Sequence, residues 1–223
     1  MSTAQLDPHA TLASLAIRIP AASRVFHRHR LDFCCGGQRS LESACIAKSL
    51  DPLAVLAELE AESSQPDDRD WSAAPLEDLV DEILVRFHEP LRAELPELLA
   101  MAKKVEAVHA AKRDCPKGLA AHLTQILQNV ELHLQKEEQI LFPMIVGGKG
   151  AQAGGPVTVM EREHDEHGAD LRQIRTLTTD LVPPAEACTT WRALYLRLAQ
   201  FERDLMDHIH LENNVLFPRA LGR

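Results

Sequence analysis

Residues 133–143 read HLQKEEQILFP and residues 208–218 read HIHLENNVLFP. Both follow the pattern H-x3-E-x2-[I/V]-L-F-P, and they lie 75 residues apart. A shorter pair accompanies them: Arg86-Phe87-His88-Glu89 is answered by Arg162-Glu163-His164-Asp165, 76 residues further on. Each half therefore supplies one histidine and then, 45 or 44 residues later, a His-x3-Glu. This is a duplicated helical hairpin carrying the same three potential ligands twice.

In an α-helix, residues i and i+4 share one face, about 6 Å apart along the axis. On the last helix the apolar stripe runs Trp191, Leu194, Tyr195, Leu198, Phe201, Leu205, His208, Glu212, Val215. On the earlier one it runs Leu119, Leu123, Ile126, Val130, His133, Glu137, Ile140, Leu141. The ligand types thus fall on the core-facing stripe, where an uncompensated carboxylate is very costly. Lys and Arg are scarce on those stripes, so metal ions account for the pattern better than salt bridges do.

Imidazole suits Zn, Cu, Fe and Ni, and carboxylate extends the range toward Mn and Mg, whereas structural zinc favours Cys/His sets at shorter spacing. His88, His133, His164, His208, Glu137 and Glu212, drawn from four helices, suggest two octahedral metals bridged by the two carboxylates. Two six-coordinate ions need about twelve positions, of which these residues and a bridging oxygen fill about ten. About two remain open for a small molecule. A single H-x3-E is a weak signal; the duplication gives this one its weight. His167, three residues after His164, is the rival ligand, and the parallel with His88 favours His164. His210 lies about 200° around the helix from His208 and is expected to face outward.

Helical periodicity extends over the rest of the chain, with no run of two-residue alternation rich in β-branched residues. Four long patterns occupy about 76–110, 117–146, 157–181 and 190–220, separated by Asp114-Cys115-Pro116, the glycine-rich 147–155 and Pro183-Pro184. They predict an all-α, antiparallel four-helix bundle. Pro90 and Pro96 fall inside the first pattern, where a proline costs about 3 kcal/mol in a regular helix, so a kink is expected there. Before the bundle, residues 1–63 suggest a small domain of short helices, punctuated by Pro20 and the turn Cys34-Cys35-Gly36-Gly37. Asp51-Pro52 opens one of these helices. The polar stretch 64–75 reads as a linker, leaving 76–223 for the bundle.

Composition fits a soluble globular protein: 223 residues, 45% hydrophobic, 26% charged and a net charge of −9. The acidic balance and the lack of a basic block argue against nucleic acid or anionic membrane as a partner. No apolar run reaches the roughly 18–20 residues of a membrane span. No signal-peptide pattern opens the sequence, so a cytoplasmic location is expected. Five cysteines, an odd count, fit reduced thiols better than a disulfide framework.

At these residues the chain resembles hemerythrin-like bundles, and more closely the iron–sulfur cluster repair di-iron family (repair of iron centres, or YtfE/ScdA). Asp32-Phe33-Cys34-Cys35-Gly36-Gly37 is similar to that family's N-terminal signature. The match continues through residues 138–144, Cys188-Thr189-Thr190-Trp191 and residues 211–218. The resemblance implies two non-haem iron ions with an oxo-type bridge, held by His88, His133, Glu137, His164, His208 and Glu212. It also implies repair of iron–sulfur clusters damaged by nitric oxide or peroxide, and a possible homodimer. The chain departs from the family at Asn129, where a carboxylate is expected four residues before His133. Glu163 keeps an acid beside His164.

Cys34 and Cys35 form a second candidate site. Thiolates are nucleophiles and soft ligands, and the flanking glycines would let another backbone or a cluster approach. Neighbouring cysteines make a poor structural disulfide. The plain alternative is that both are small buried hydrophobes; the family match favours the functional reading. Cys45, Cys115 and Cys188 are assigned to packing or surface. The expected job is repair of damaged iron–sulfur proteins, by iron delivery or by handling nitric oxide, with nitric oxide or dioxygen as small ligands. A dioxygen or nitric oxide sensor or carrier and a nitric oxide reductase are the competing readings.

Overall fold

The computed structural model describes residues 6–19, 21–62 and 71–222. Pro20 and most of the expected linker lie outside the described residues. Those described are helical, with no strand among them. They form two compact units, Met1–Leu79 with Met206–Arg223, and Val80–Leu205.

The first unit begins with α1 (Leu12–Arg18), α2 (Ala22–His29), α3 (Leu41–Ile46) and α4 (Pro52–Glu62). Side-chain caps fix the starts: Thr11 Oγ1 accepts from the Ser14 amide and Ser40 Oγ from the Ser43 amide, each satisfying a backbone donor the helix leaves open. Asp51 Oδ1 accepts from the Leu53 amide at 3.0 Å, so Asp51-Pro52 opens α4 as its chemistry predicts. Leu12, Leu15, Val25, Phe26, Phe33, Leu41 and Leu59 make the core, with Met206 packed against it. Burying each such side chain contributes about 1.5–3 kcal/mol.

The second unit is a four-helix ring. Its helices are α6 (Glu89–His109), α7 (Leu119–Lys136), α9 (Gly154–Leu177) and α10 (Thr189–Leu211), the last running on into the first unit. A polar contact marks each side of the ring: Arg92 with Glu131 joins α6 to α7, and His122 with the Asp170 carbonyl joins α7 to α9. Arg175 with Glu202 joins α9 to α10, and Arg197 with Glu94 returns from α10 to α6. Partly exposed contacts of this kind are worth about 1 kcal/mol each, so they record adjacency more than they create it. Burial of Leu98, Leu123, Ile126, Ile174, Trp191, Leu198 and Phe201 supplies the larger stabilisation.

The prolines are accommodated by wide turns. α5 (Leu76–Ile83) passes through a π-helical turn, Leu84–His88, into α6; α7 passes through Glu137–Leu141 into the short α8 (Phe142–Met144). α10 passes through Glu212–Leu216 into α11 (Phe217–Leu221). In all three the amide after the turn reaches back five residues: Glu89 to Leu84, Phe142 to Glu137, Phe217 to Glu212. A proline comes next each time (Pro90, Pro143, Pro218), and it has no amide to offer the carbonyl four residues back. Widening the turn relieves that clash, and Pro90 stands in the first turn of α6, directly after the π turn. Pro96 lies inside α6 itself.

The extra residue per turn also shifts the helix phase. Ile140, placed on the core stripe by a period of 3.6, is 53% exposed; Leu141, placed there with it, is buried, and so is Phe142. The sequence-based stripe is corrected there.

Candidate metal centre and thiol turn

The π turns position candidate ligands. His88 ends the first, Glu137 begins the second and Glu212 begins the third. All six candidate ligands are buried, none more than 2% exposed.

In the second unit, Glu137 offers one oxygen to each of two histidines. Its Oε2 lies 3.5 Å from His88 Nε2 and its Oε1 lies 3.4 Å from His133 Nε2. His164 Nε2 comes within 3.1 Å of His133 Nε2. The outer ring nitrogens face carboxylates. His88 Nδ1 is 2.8 Å from Glu138 Oε1, and His133 Nδ1 is 3.0 Å from Glu163 Oε2. An ionised carboxylate only accepts, so each Nδ1 carries a proton and each Nε2 is the nitrogen turned inward. Three imidazole nitrogens and a carboxylate thus converge on one buried place, a donor set of the kind that holds a cation. An outer acid that orients an imidazole in this way is the usual companion of a histidine that ligates a metal.

The outer acids are themselves held. Burial pushes the Glu138 carboxyl up, but Arg92 and His88 outweigh it and leave the group below the usual carboxylate value. His133, with help from Lys136 and against burial, holds Glu163 down to about 2. Both acids are therefore ionised near neutrality. Sequence reading passed over Glu138 and Arg92 and noted Glu163 only as an acid beside His164. Asn129 takes part in none of this; it accepts a bond from Gln125 at 2.9 Å on the outside of α7.

In the first unit, His208 Nε2 is 3.1 Å from Glu212 Oε1, one helical turn apart on the face their spacing predicts. His167 is buried with its ring perpendicular to that of His133, centroids 4.9 Å apart. The nitrogen that shares the inward face of His133 is that of His164.

His210 does not face solvent as expected. It is buried, its ring meets Phe33 with centroids 5.3 Å apart, and its Nδ1 is 3.0 Å from Asn214 Nδ2. Burial, only partly opposed by Asp207, holds it down to about 4, so it is neutral near pH 7. The face of α10 opposite His208 is covered by the Phe33–Cys34 turn, which periodicity within one helix cannot reveal.

That turn is organised by Asp32. Its Oδ1 accepts from the amides of Cys35 and Gly36, each at 3.0 Å, and from Cys34 Sγ at 3.4 Å. The two sulfurs are 3.7 Å apart, and Asp32, Cys34 and Cys35 form a group able to hold a metal ion. Cys34 is buried and Cys35 is partly exposed. The neighbouring thiol of Cys35, burial and the charge of Asp32 all push the Cys34 thiol up, so it rests protonated. The glycines serve the turn itself: a Cβ at Gly37 would stand 2.5 Å from the Phe33 carbonyl oxygen and 3.0 Å from Ala13 Cβ. Cys188 is exposed, with Sγ 3.2 Å from His109 Nε2, while Cys45 and Cys115 are buried.

Comparison with known proteins agrees with this chemistry. Residues 79–220 match the hemerythrin HHE cation binding domain, and residues 8–63 match a domain of unknown function, DUF542, that is also called ScdA_N. The chain is 54% identical to the iron–sulfur cluster repair protein YtfE of Musicola paradisiaca, over 95% of this chain and 96% of that one. It is 53% identical to YtfE of Pectobacterium atrosepticum and 51% identical to YtfE of Citrobacter koseri, with the same coverage. A hemerythrin-like domain with buried histidines and glutamates fits a di-iron centre. Among the described residues, no helix is long and apolar enough to cross a membrane.

Proposed function

We propose, from the premise that this chain belongs to the YtfE iron–sulfur cluster repair family of hemerythrin-like proteins, that it restores damaged iron–sulfur clusters by means of a di-iron centre. The ligands are His88, His133, Glu137, His164, His208 and Glu212. The observation that carries the reading is the pair of contacts at Glu137, one carboxylate oxygen toward each of two imidazoles. Glu137 would contribute both of its oxygens to holding the metal pair, and the duplicated sequence gives Glu212 the same part.

When bound, the irons would supply redox-active metal with positions open to a small ligand such as nitric oxide or dioxygen. The protein's own contribution is preorganisation. Arg92 and Glu138 hold His88, and Lys136 and Glu163 hold His133, so these imidazoles do not reorganise on binding. The apolar stripes keep water away. Asp32 keeps the Cys34 proton in place until a partner, a damaged cluster or its released iron, draws on the thiol.

Reactivation of a nitric-oxide-damaged [4Fe–4S] enzyme by the iron-loaded protein tests the proposal. Activity should return with the native chain and fail with Glu137→Ala or Cys34→Ser/Cys35→Ser. Equal recovery with native chain and variants would contradict it. Rapid reversible dioxygen binding without any recovery would favour the carrier reading instead.

A further inference from the structure

The internal repeat diverges where the two halves meet different neighbours. In the first half, Glu137 is followed by Glu138, which orients His88, and by Gln139, which is exposed. In the second half, Glu212 is followed by two asparagines. Asn213 Nδ2 donates to the Cys34 carbonyl at 3.3 Å, and Asn214 Nδ2 donates to the Phe33 carbonyl at 3.3 Å and the Cys34 carbonyl at 3.4 Å. Asn214 Nδ2 also lies 3.0 Å from Nδ1 of His210, whose ring packs on Phe33.

From this divergence we infer that Asn213 and Asn214 are positioning residues that couple the reactivity of Cys34 and Cys35 to metal occupancy at Glu212. The inference rests on the di-iron reading above. Glu212, Asn213 and Asn214 are consecutive in one π turn, closed by the Phe217 amide on the Glu212 carbonyl. An ion drawing on the Glu212 carboxylate would act on the same short turn that carries both amides. The Phe33–Cys34 turn receives that pull as a unit, because Asp32 Oδ1 ties together the amides of Cys35 and Gly36 and the Cys34 thiol. A turn held more firmly opens less often, and cysteine reactivity follows that opening. Linkage makes the effect reciprocal: what iron does to the thiol turn, a change in the turn does to iron affinity.

The test compares the full chain, metal-free and loaded anaerobically with ferrous iron, by iodoacetamide labelling read residue by residue with mass spectrometry. Cys188, exposed and in the other unit, is the internal reference. Loading should change the labelling rate of Cys35 relative to Cys188 by about three- to ten-fold, the range expected from a few weak hydrogen bonds. Asn213→Ala/Asn214→Ala should keep its iron and lose this dependence, whereas Gln139→Ala should retain it. The inference fails if iron leaves the Cys35 rate of the native chain unchanged, or if the dependence survives in the double variant. The native-chain arm and the single Asn213→Ala variant decide the matter even if the double variant misfolds. A chain that takes up no iron overturns the di-iron reading and this inference together; a loaded chain with unresponsive thiols overturns the inference alone.

Discussion

Glu163 accepts the Nδ1 proton of His133 at 3.0 Å, and that contact decides which nitrogen His133 turns toward the bundle interior. The acid lies on α9, 30 residues along the chain from His133 on α7, yet it orients a candidate ligand. Glu163→Gln can keep the shape but removes the obligate acceptor. Outer partners of this kind are typically worth 10–100-fold in metal affinity. Competition against a chelator should show faster iron loss of about that size, with helicity unchanged. An affinity equal to that of the native chain would mean His133 is oriented by something else.

Glu137 is buried completely, with His88 and His133 turned toward its two oxygens. In the metal-free protein its charge is a burden, because desolvating a carboxylate costs several kcal/mol. Glu137→Gln should therefore leave the metal-free melting temperature equal or higher while lowering iron content below two per chain. Opposite signs in the two states are the signature. By mass action, chelation should lower the melting temperature of the native protein far more than that of the variant.

At Gly37 a Cβ would stand 2.5 Å from a backbone oxygen that cannot step aside. Gly37→Ala should destabilise the first unit by about 1–3 kcal/mol in denaturant unfolding, the ordinary cost of overpacking. Gly147, where an added Cβ meets nothing within 4 Å, is the control and should tolerate alanine.

The thiols should label in a fixed order. Cys188 is exposed and Cys35 partly so, whereas Cys34 is buried and its thiol is pushed up by Cys35, by burial and by Asp32. Since the thiolate is the nucleophile, Cys34 should lag both at pH 8. Asp32→Asn removes one of those causes and loosens the turn, so it should narrow the gap between Cys34 and Cys35. A lag unaltered by Asp32→Asn would leave burial and Cys35 as the whole cause.

The helical fold and the burial of the six candidate ligands were legible because both express a single periodicity. His133 and Glu137, and His208 and Glu212, sit four apart on stripes that are otherwise apolar, and duplication made the pattern hard to reach by chance. Properties that cross between elements were not legible. The prediction that His210 points outward assumed solvent on the far side of α10, and the Phe33 ring occupies that place. Ile140 was misplaced because Pro143 forces a π turn and the 3.6 period ends at Glu137. The Arg92–Glu138–His88 chain joins helices through a partner 46 residues distant. Only the fold brings those residues together.

The central claim is tested most directly by counting iron in freshly purified, full-length protein by elemental mass spectrometry, alongside its visible absorption spectrum. The account predicts about two irons per chain with the charge-transfer bands of an oxo-type bridge, falling to one or none in Glu137→Ala. A chain carrying no iron, or zinc that ferrous iron does not displace on reconstitution, would contradict it.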